Sequence, residues 1–311
     1  MALPLLLLAS LASAGAAFRD RVDARAFVKI QLHVHTSESD GDSPPEAVAG
    51  WYAAHGFAAV ALTDHDRLTR VQLPGLTMIP GVEISAHGGK KPVHVNALCG
   101  TAALAGARAA SPGEALADAV TRAHADGALA LVNHPNWADA LRGADLLAAP
   151  PFELLEIASG HPAVADGGDA SHPPAEALWQ ALLDAGRAVF AVAVDDAHDF
   201  ARPGEDRKPG RGWVDAWDAQ KPCEALRAGR FYATTGVRLR RLRVAAGRLT
   251  VDAADFPPGS VVEFLGAGGR LLAESKAVPA SYAPKAGDRF VRARLTLPDG
   301  RRAWTQAYAA E

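Results

Sequence analysis

Seven short apolar runs, spaced by segments of helical pattern, constrain this chain more than any other feature. They occupy residues 27–32, 57–62, 77–84, 93–98, 128–132, 152–157 and 188–194. A helix opens at Ser43, Pro44, Pro45 and Glu46, with a capping serine, prolines in the first turn and an acid near the positive end, and runs to Ala54. Further helical patterns cover 112–125, 137–147 and 174–185. Strands alternating with helices indicate an α/β, barrel-like fold with a parallel core. The 311 residues are 49% apolar, enough for a sizeable core and for one large domain or two smaller ones.

The texture changes after Phe231. Short strand-like runs at 237–244, 248–251, 261–265, 270–273, 289–297 and 302–308 are separated by turns such as Pro257-Pro258-Gly259 and Pro298-Asp299-Gly300. This pattern predicts a small C-terminal β-sandwich, with a domain boundary between residues 230 and 231.

Residues 1–17 carry no charged side chain, and a Leu-rich run over 3–11 leads into small residues at Ala12, Ala14 and Ala16. That is the pattern of a signal peptide, too short for the roughly 20 apolar residues of a spanning helix. The mature chain, from residue 18, is therefore expected outside the cytoplasm, periplasmic or secreted, with no membrane span. Export permits a disulfide between Cys99 and Cys223, the two cysteines of the sequence. A net charge of −3, from 32 basic and 35 acidic residues, argues against an extended nucleic-acid surface. Chain ends or nucleotides stay open as substrates, and a small-molecule ester is the expected partner.

The polar chemistry gathers at the strand ends. His33 and His35 follow the first run, two residues apart and so on one face of an extended chain. Asp40 sits beside the turn residue Gly41, and His65 follows the second run. Glu83 is the single acid within residues 80–85, where an unpaired carboxylate is costly. His134 follows the fifth run, and Asp196 and His198 the seventh. In a parallel barrel, such positions converge on one mouth. His94, at the start of its run, requires either a distorted barrel or a strand running the other way. These nine residues are all imidazoles or carboxylates, a donor set suited to Zn, Mn or Fe at a hydrolytic site.

His33-Val34-His35 with Ser39-Asp40-Gly41, Thr63-Asp64-His65, Glu83, His94, His134 and Asp196-Ala197-His198 resemble the four-motif pattern of the PHP (polymerase and histidinol phosphatase) metallohydrolases. The resemblance spans about residues 28–200. It implies a distorted seven-stranded barrel and two or three divalent metal ions. His33, His35, Glu83 and Asp196 would hold the first ion, Glu83, His94 and His134 the second, and Asp40, His65 and His198 the third. The run Gly229-Arg230-Phe231-Tyr232-Ala233-Thr234-Thr235-Gly236 and the β module behind it resemble exported members of the CehA/McbA-like branch, some of which are associated with carbamate or ester cleavage.

The expected activity is metal-assisted hydrolysis of a phosphoester, in which bridged metals activate a shared water. A carboxyl or carbamate ester is the alternative, and a non-catalytic exported metal-binding module is the rival from another class. His161, His198 and Asp66 are candidate proton shuttles. His172 is a second histidine that could reach the mouth, Asp66 and Asp195 are candidate acceptors for imidazole N–H groups, and Glu156 is either such an acceptor or part of an ordinary ion pair. His55, His87, His124 and the tryptophans read as surface, cap or packing residues. The C-terminal module offers no histidine and is expected to cover one side of the mouth without supplying a ligand.

Overall fold

The computed structural model describes residues 20–202 and 207–310. The expected signal peptide lies outside the described residues. Among them, no helix is long and apolar enough to cross a membrane.

The chain is a mixed α/β protein built on three sheets. In the largest, Val28–Gln31, Phe57–Ala61 and Thr77–Ile79 run parallel. On its other side Val28–Gln31 pairs antiparallel with Trp213–Ala216, which pairs with Phe231–Thr234. The sheet continues through Arg302–Trp304, Phe290–Thr296 and Val261–Leu265 to Leu271–Ser275. It therefore runs uninterrupted across the expected boundary at residue 230. A six-stranded sheet holds Phe190–Val194, Leu154–Ser159, Leu129–Val132, Lys91–Leu98, Gly81–Gly88 and Arg108–Ala109, in that order.

Residues 77–84, expected as one strand, divide at Pro80. Proline has no N–H to give to a ladder. Thr77–Ile79 stays in the large sheet, while Gly81–Gly88 enters the six-stranded one. The isolated bridges His65–Glu83 and Val34–Ala197 tie the two sheets together at the ends of their strands. Lys91–Leu98 is antiparallel to both neighbours, which is the reversed strand that the position of His94 required.

Ile30, Leu32, Ala61, Leu131, Leu154 and Val192 come from both sheets and share one buried apolar interior. The helix Pro112–Ala125 lays Leu116, Ala119 and Val120 on the outside of the six-stranded sheet. Its start is fixed by a capping box between Ser111 and Glu114. The helix Pro45–Ala54 begins after Pro44 and makes no side-chain cap; the Ser43 hydroxyl donates to Asp42 instead. The segment 137–147 is not one helix. A short turn at Trp137–Asp139 precedes the helix Gly143–Ala148, and Ala138 and Asp139 adopt left-handed φ of 53° and 56°.

Val22–Ala24 belongs to a different sheet from Val28–Gln31, the strand that follows it in sequence. It pairs antiparallel with Leu239–Ala245, in a four-stranded sheet completed by Arg248–Ala253 and Ala280–Tyr282. Leu242, Val251 and Tyr282 of this sheet share a core with Val262, Phe264 and Leu295 of the large one. The Gln306 amide accepts from the Ala191 N–H and donates to the Ala191 carbonyl, so one side chain occupies the open edge of Phe190–Val194.

A disulfide joins Cys99 to Cys223 with a Cα separation of 5.9 Å, linking the end of Lys91–Leu98 to the helix Pro222–Arg227. It closes a loop of sequence separation 124, so it restricts the unfolded chain strongly. Replacing both cysteines with serine is expected to cost about 2–4 kcal/mol of stability. Denaturant unfolding of the double variant, beside the parent with and without reductant, measures the loss.

Candidate metal centre

Gln31 prepares the first motif. Its buried carboxamide accepts from the Leu32 and His33 N–H groups and from Asp195 N–H, and donates to the Gly212 carbonyl. The side chain thus replaces the ladder where the strand Val28–Gln31 ends, and His33 and His35 turn together into the interior. Asp196 leaves its strand in a left-handed conformation, φ 47°, which is uncommon for a residue with a side chain. Glu83 and Ser85 share a face of Gly81–Gly88, and His94 stands opposite Ser85 on the reversed neighbour. That register puts the His94 ring diagonally across from the Glu83 carboxylate.

Four atoms converge tightly. His33 Nε2 and His35 Nε2 are 3.1 Å apart. Glu83 Oε2 is 3.3 and 3.1 Å from them, and Asp196 Oδ1 is 3.3 and 3.4 Å from them. Ligands held about 2.0–2.1 Å from a shared ion lie at about these mutual spacings. Glu83 Oε2 also lies 3.2 Å from His65 Nδ1, yet it forms no hydrogen bond of proper geometry. A fully buried carboxylate oxygen among three imidazole nitrogens that do not bond to it is placed for a cation.

The other Glu83 oxygen, Oε1, is 2.9 Å from His94 Nδ1 and 3.5 Å from His134 Nε2. His94 Nδ1 is likewise buried without a hydrogen-bond partner. Asp40 Oδ2 lies 3.4 Å from His198 Nε2 and 3.7 Å from His65 Nε2. Asp40 is the most open of the group, about half exposed, whereas His33, His35 and Glu83 are sealed. All nine residues singled out in the sequence occur in five overlapping groups whose ligand atoms could hold an ion.

Neighbouring side chains fix which nitrogen faces inward. Glu156 Oε1 lies 2.6 Å from His33 Nδ1, and its Oε2 accepts from the His134 N–H at 2.7 Å. The proton on Nδ1 leaves the Nε2 lone pair for the cluster. His198 Nδ1 contacts the Asp196 carbonyl at 3.0 Å, so its Nε2 also points inward. Asn133 Nδ2 donates to Glu83 Oε1 at 2.7 Å. Buried Asp64 accepts from the Thr36, Ser39 and Thr69 hydroxyls and secures the loop that carries Asp40.

The charge balance is that of a site built for cations. Burial alone lowers the His33 pKa, but Asp196, Glu83 and Glu156 outweigh it and hold the ring protonated well above the ordinary range. Burial also opposes the charge on His35, which Asp196 and Glu83 nevertheless push up to about 10. Glu83 and Asp196 move the other way: burial raises them, and the surrounding imidazoles bring both well below the usual carboxylate values. Binding a metal must therefore displace protons from these rings.

The ligand atoms open onto a small cavity of about 150 Å³, to which Trp137, His161 and Arg207 also contribute. Arg207 is held by two hydrogen bonds to Asp199, both 3.1 Å. No described residue after Arg207 lines the cavity, so the C-terminal module does not cover the mouth as expected.

Several expectations change here. Asp66 is not at the cavity: its carboxylate accepts from the Ser85 and Gly106 N–H groups at 2.8 and 2.9 Å. His198 has both nitrogens engaged, on the Asp196 carbonyl and beside Asp40, which leaves neither for shuttling a proton. Asp195 accepts from the Tyr52 hydroxyl and three backbone N–H groups rather than from an imidazole. His172 is drawn away to Asp139 and Asp169, where Lys91 and Arg142 also pair with Asp139. His161 does reach the mouth. Trp137, expected only to pack, sits edge-on to His134 with ring centres 5.1 Å apart. Gln31, Asn133, Asp64 and Arg207 were not foreseen. The one signal for Glu156 was an acid near a strand end.

No protein-family model and no curated protein sequence matches the chain. Among solved structures, it is similar to a two-domain protein from Bacteroides vulgatus containing a predicted PHP-like metal-dependent phosphoesterase. The identity is 16%, the match covers 94% of this chain and 88% of the other, and the TM-score is 0.47. It is also similar to an amidohydrolase from Chromobacterium violaceum (19% identity, 70% and 98% covered, TM-score 0.41). A lesion-specific endonuclease from Pyrococcus furiosus aligns at 13% identity, with 66% and 56% covered and a TM-score of 0.45. The functional reading rests on the site's own geometry.

Glu156→Gln keeps the shape of the side chain and removes the charge that orients His33. It is expected to weaken metal binding about 10- to 100-fold while leaving the fold intact. Competitive chelator titration of the folded variant measures this. Adding metal to the metal-free parent in weakly buffered solution is expected to show proton release, and affinity falling as pH falls.

Proposed function

We propose that the chain is a metal-dependent hydrolase of PHP type acting on phosphate esters. His33, His35, Glu83 and Asp196 would hold one ion, Glu83, His94 and His134 a second, and Asp40, His65 and His198 a third. The observation that carries this reading is the buried Glu83 carboxylate, whose Oε2 lies 3.1–3.3 Å from three imidazoles without bonding to any. Divalent ions bound here would polarise the scissile bond, make water a competent nucleophile near neutral pH and offset charge in the transition state.

The protein's own groups supply the rest. Arg207, braced by Asp199, brings a positive charge to the cavity and favours an anionic substrate over a neutral ester. His161 Nδ1 accepts from the Ala163 N–H, so its Nε2 carries the ring's one proton and would hydrogen-bond the substrate or leaving-group oxygen. Burial, with repulsion from His198 and His134, lowers its pKa and keeps the ring in this neutral form. The cavity accommodates little more than the ions and one phosphoryl-sized group, so the remainder of a substrate extends outward past Trp137 and His161.

The bridges between the two larger sheets support reading the body as a distorted seven-stranded barrel. The core shared with the four-stranded sheet supports a β-sandwich behind it. The Leu-rich start and the disulfide together support export with removal of residues 1–17. Mass spectrometry of protein expressed from the native start is expected to find a mature terminus between Gly15 and Phe18. Intact Met1 on cytoplasmic protein overturns the export reading.

The activity is tested on full-length mature protein loaded with Zn or Mn, using aryl phosphomonoesters, phosphodiesters, carboxyl esters and carbamates. Phosphoester turnover is expected. Arg207→Ala should lower kcat/KM for those substrates about tenfold to a hundredfold. Glu83→Gln should abolish turnover and remove more than one ion per chain by elemental analysis. Turnover confined to carboxyl esters or carbamates would favour the CehA/McbA-like likeness of the tail and reject the phosphoester reading. Metal without turnover on any substrate would leave the non-catalytic module.

A further inference from the structure

A second recess, about 660 Å³, shares no lining residue with the metal cavity. It lies between the helix Ala175–Asp184, the end of Leu154–Ser159 and the strands Val261–Leu265, Phe290–Thr296 and Arg302–Trp304. Its volume is within the roughly 300–1,000 Å³ usual for small-molecule sites.

The walls are polar and preorganised. Arg292 is almost wholly buried, with Nε donating to Gln180 and Nη1 to Glu176 at 2.7 Å. Its guanidinium also stacks over Trp179, 4.9 Å from the ring centre. Arg294 donates to the other Glu176 oxygen at 3.0 Å and to Glu263 at 2.8 Å. These bonds occupy both oxygens of Glu176 but only part of each guanidinium's five donors. Among the described residues, the Arg302 guanidinium has no hydrogen-bond or ion-pair partner. The Trp304 indole N–H is buried beside Glu176 yet lies outside hydrogen-bonding geometry to any acceptor.

Donors therefore outnumber acceptors in a recess where water is partly excluded, and an unpaired buried N–H is costly. The lining holds three arginines and two acids, Glu176 and Asp166, and Glu263 behind it pairs with Arg294, so the charges balance and Arg302 is the one lining guanidinium without a carboxylate partner among the described residues. Asp166 is already engaged with the Ser159 N–H at 2.9 Å. At the rim, Gly268, Gly269 and Thr235 offer uncharged polar surface.

We propose that this recess binds a small hydroxylated carboxylate of the sugar-acid class, its carboxylate taking hydrogen bonds from Arg302 and the Trp304 indole. The one unpaired guanidinium matches a single carboxylate group, and the uncharged rim suits hydroxyl groups. The site is independent of the proposed hydrolysis, because no metal-cavity residue takes part.

The test is calorimetric titration of the metal-loaded full chain with sodium D-glucuronate at constant ionic strength. Saturable binding of one molecule per chain is expected. Arg302→Ala, at an exposed position, and Trp304→Phe, which keeps a buried ring and removes only the donor, should each weaken it by about tenfold or more. Arg207→Ala should leave it unchanged. No saturable binding, full binding in both recess variants, or loss of binding in Arg207→Ala would overturn the proposal. The last result would place the carboxylate at the metal cavity instead.

Discussion

The structure depends on one buried carboxylate. Glu83 faces five imidazoles, from His33, His35, His65, His94 and His134, each delivered by a different part of the chain or a different turn of it. Burying such a charge costs several kcal/mol unless it is fully compensated, so its surroundings cannot be altered one at a time. Its backbone is equally committed: the Glu83 N–H donates to the Asp64 carbonyl, and the Glu83 carbonyl accepts from Asp66. The residue that organises the metal ligands therefore also joins the two large sheets. Pro80, three positions earlier, makes this possible by ending one ladder and letting the next begin.

The cluster was legible because its chemistry is local in sequence. His33-Val34-His35 and Asp196-Ala197-His198 each present two ligands from one short extended stretch, and Glu83 stands out as an acid in an apolar run. What orients the ligands was less legible. Glu156, Asn133 and Gln31 act through single contacts to groups remote in sequence, and such residues look like any other polar position. His172 and Asp195 show the converse: suitable side chains near the right strands, drawn elsewhere by Asp139 and by the amides of 210–212. The order of the strands could be read only in part. Periodicity located them well, but it carries no direction, and only the odd placing of His94 hinted that one runs backwards.

The change of texture near residue 231 was equally clear in sequence, yet it is not a structural seam. Phe231–Thr234 is hydrogen-bonded on one side to Trp213–Ala216 and on the other to Arg302–Trp304. Composition shifted because the connections changed from helices to tight turns, while the hydrogen-bonded ladder continued. The C-terminal strands thus reach the metal centre indirectly. They support the sheet whose strand ends carry His33 and His35, and Gln306 completes the strand that leads to Asp196.

The pairing of Val22–Ala24 with Leu239–Ala245 bears on how the molecule is made. This strand, the first among the described residues, has no partner until nearly four-fifths of the polypeptide has been synthesised, and the large sheet waits longer still for Arg302–Trp304. Contacts of such range close slowly. The six-stranded sheet, whose strands all lie before residue 195, has every partner early, so the two halves of the molecule differ in when they can close.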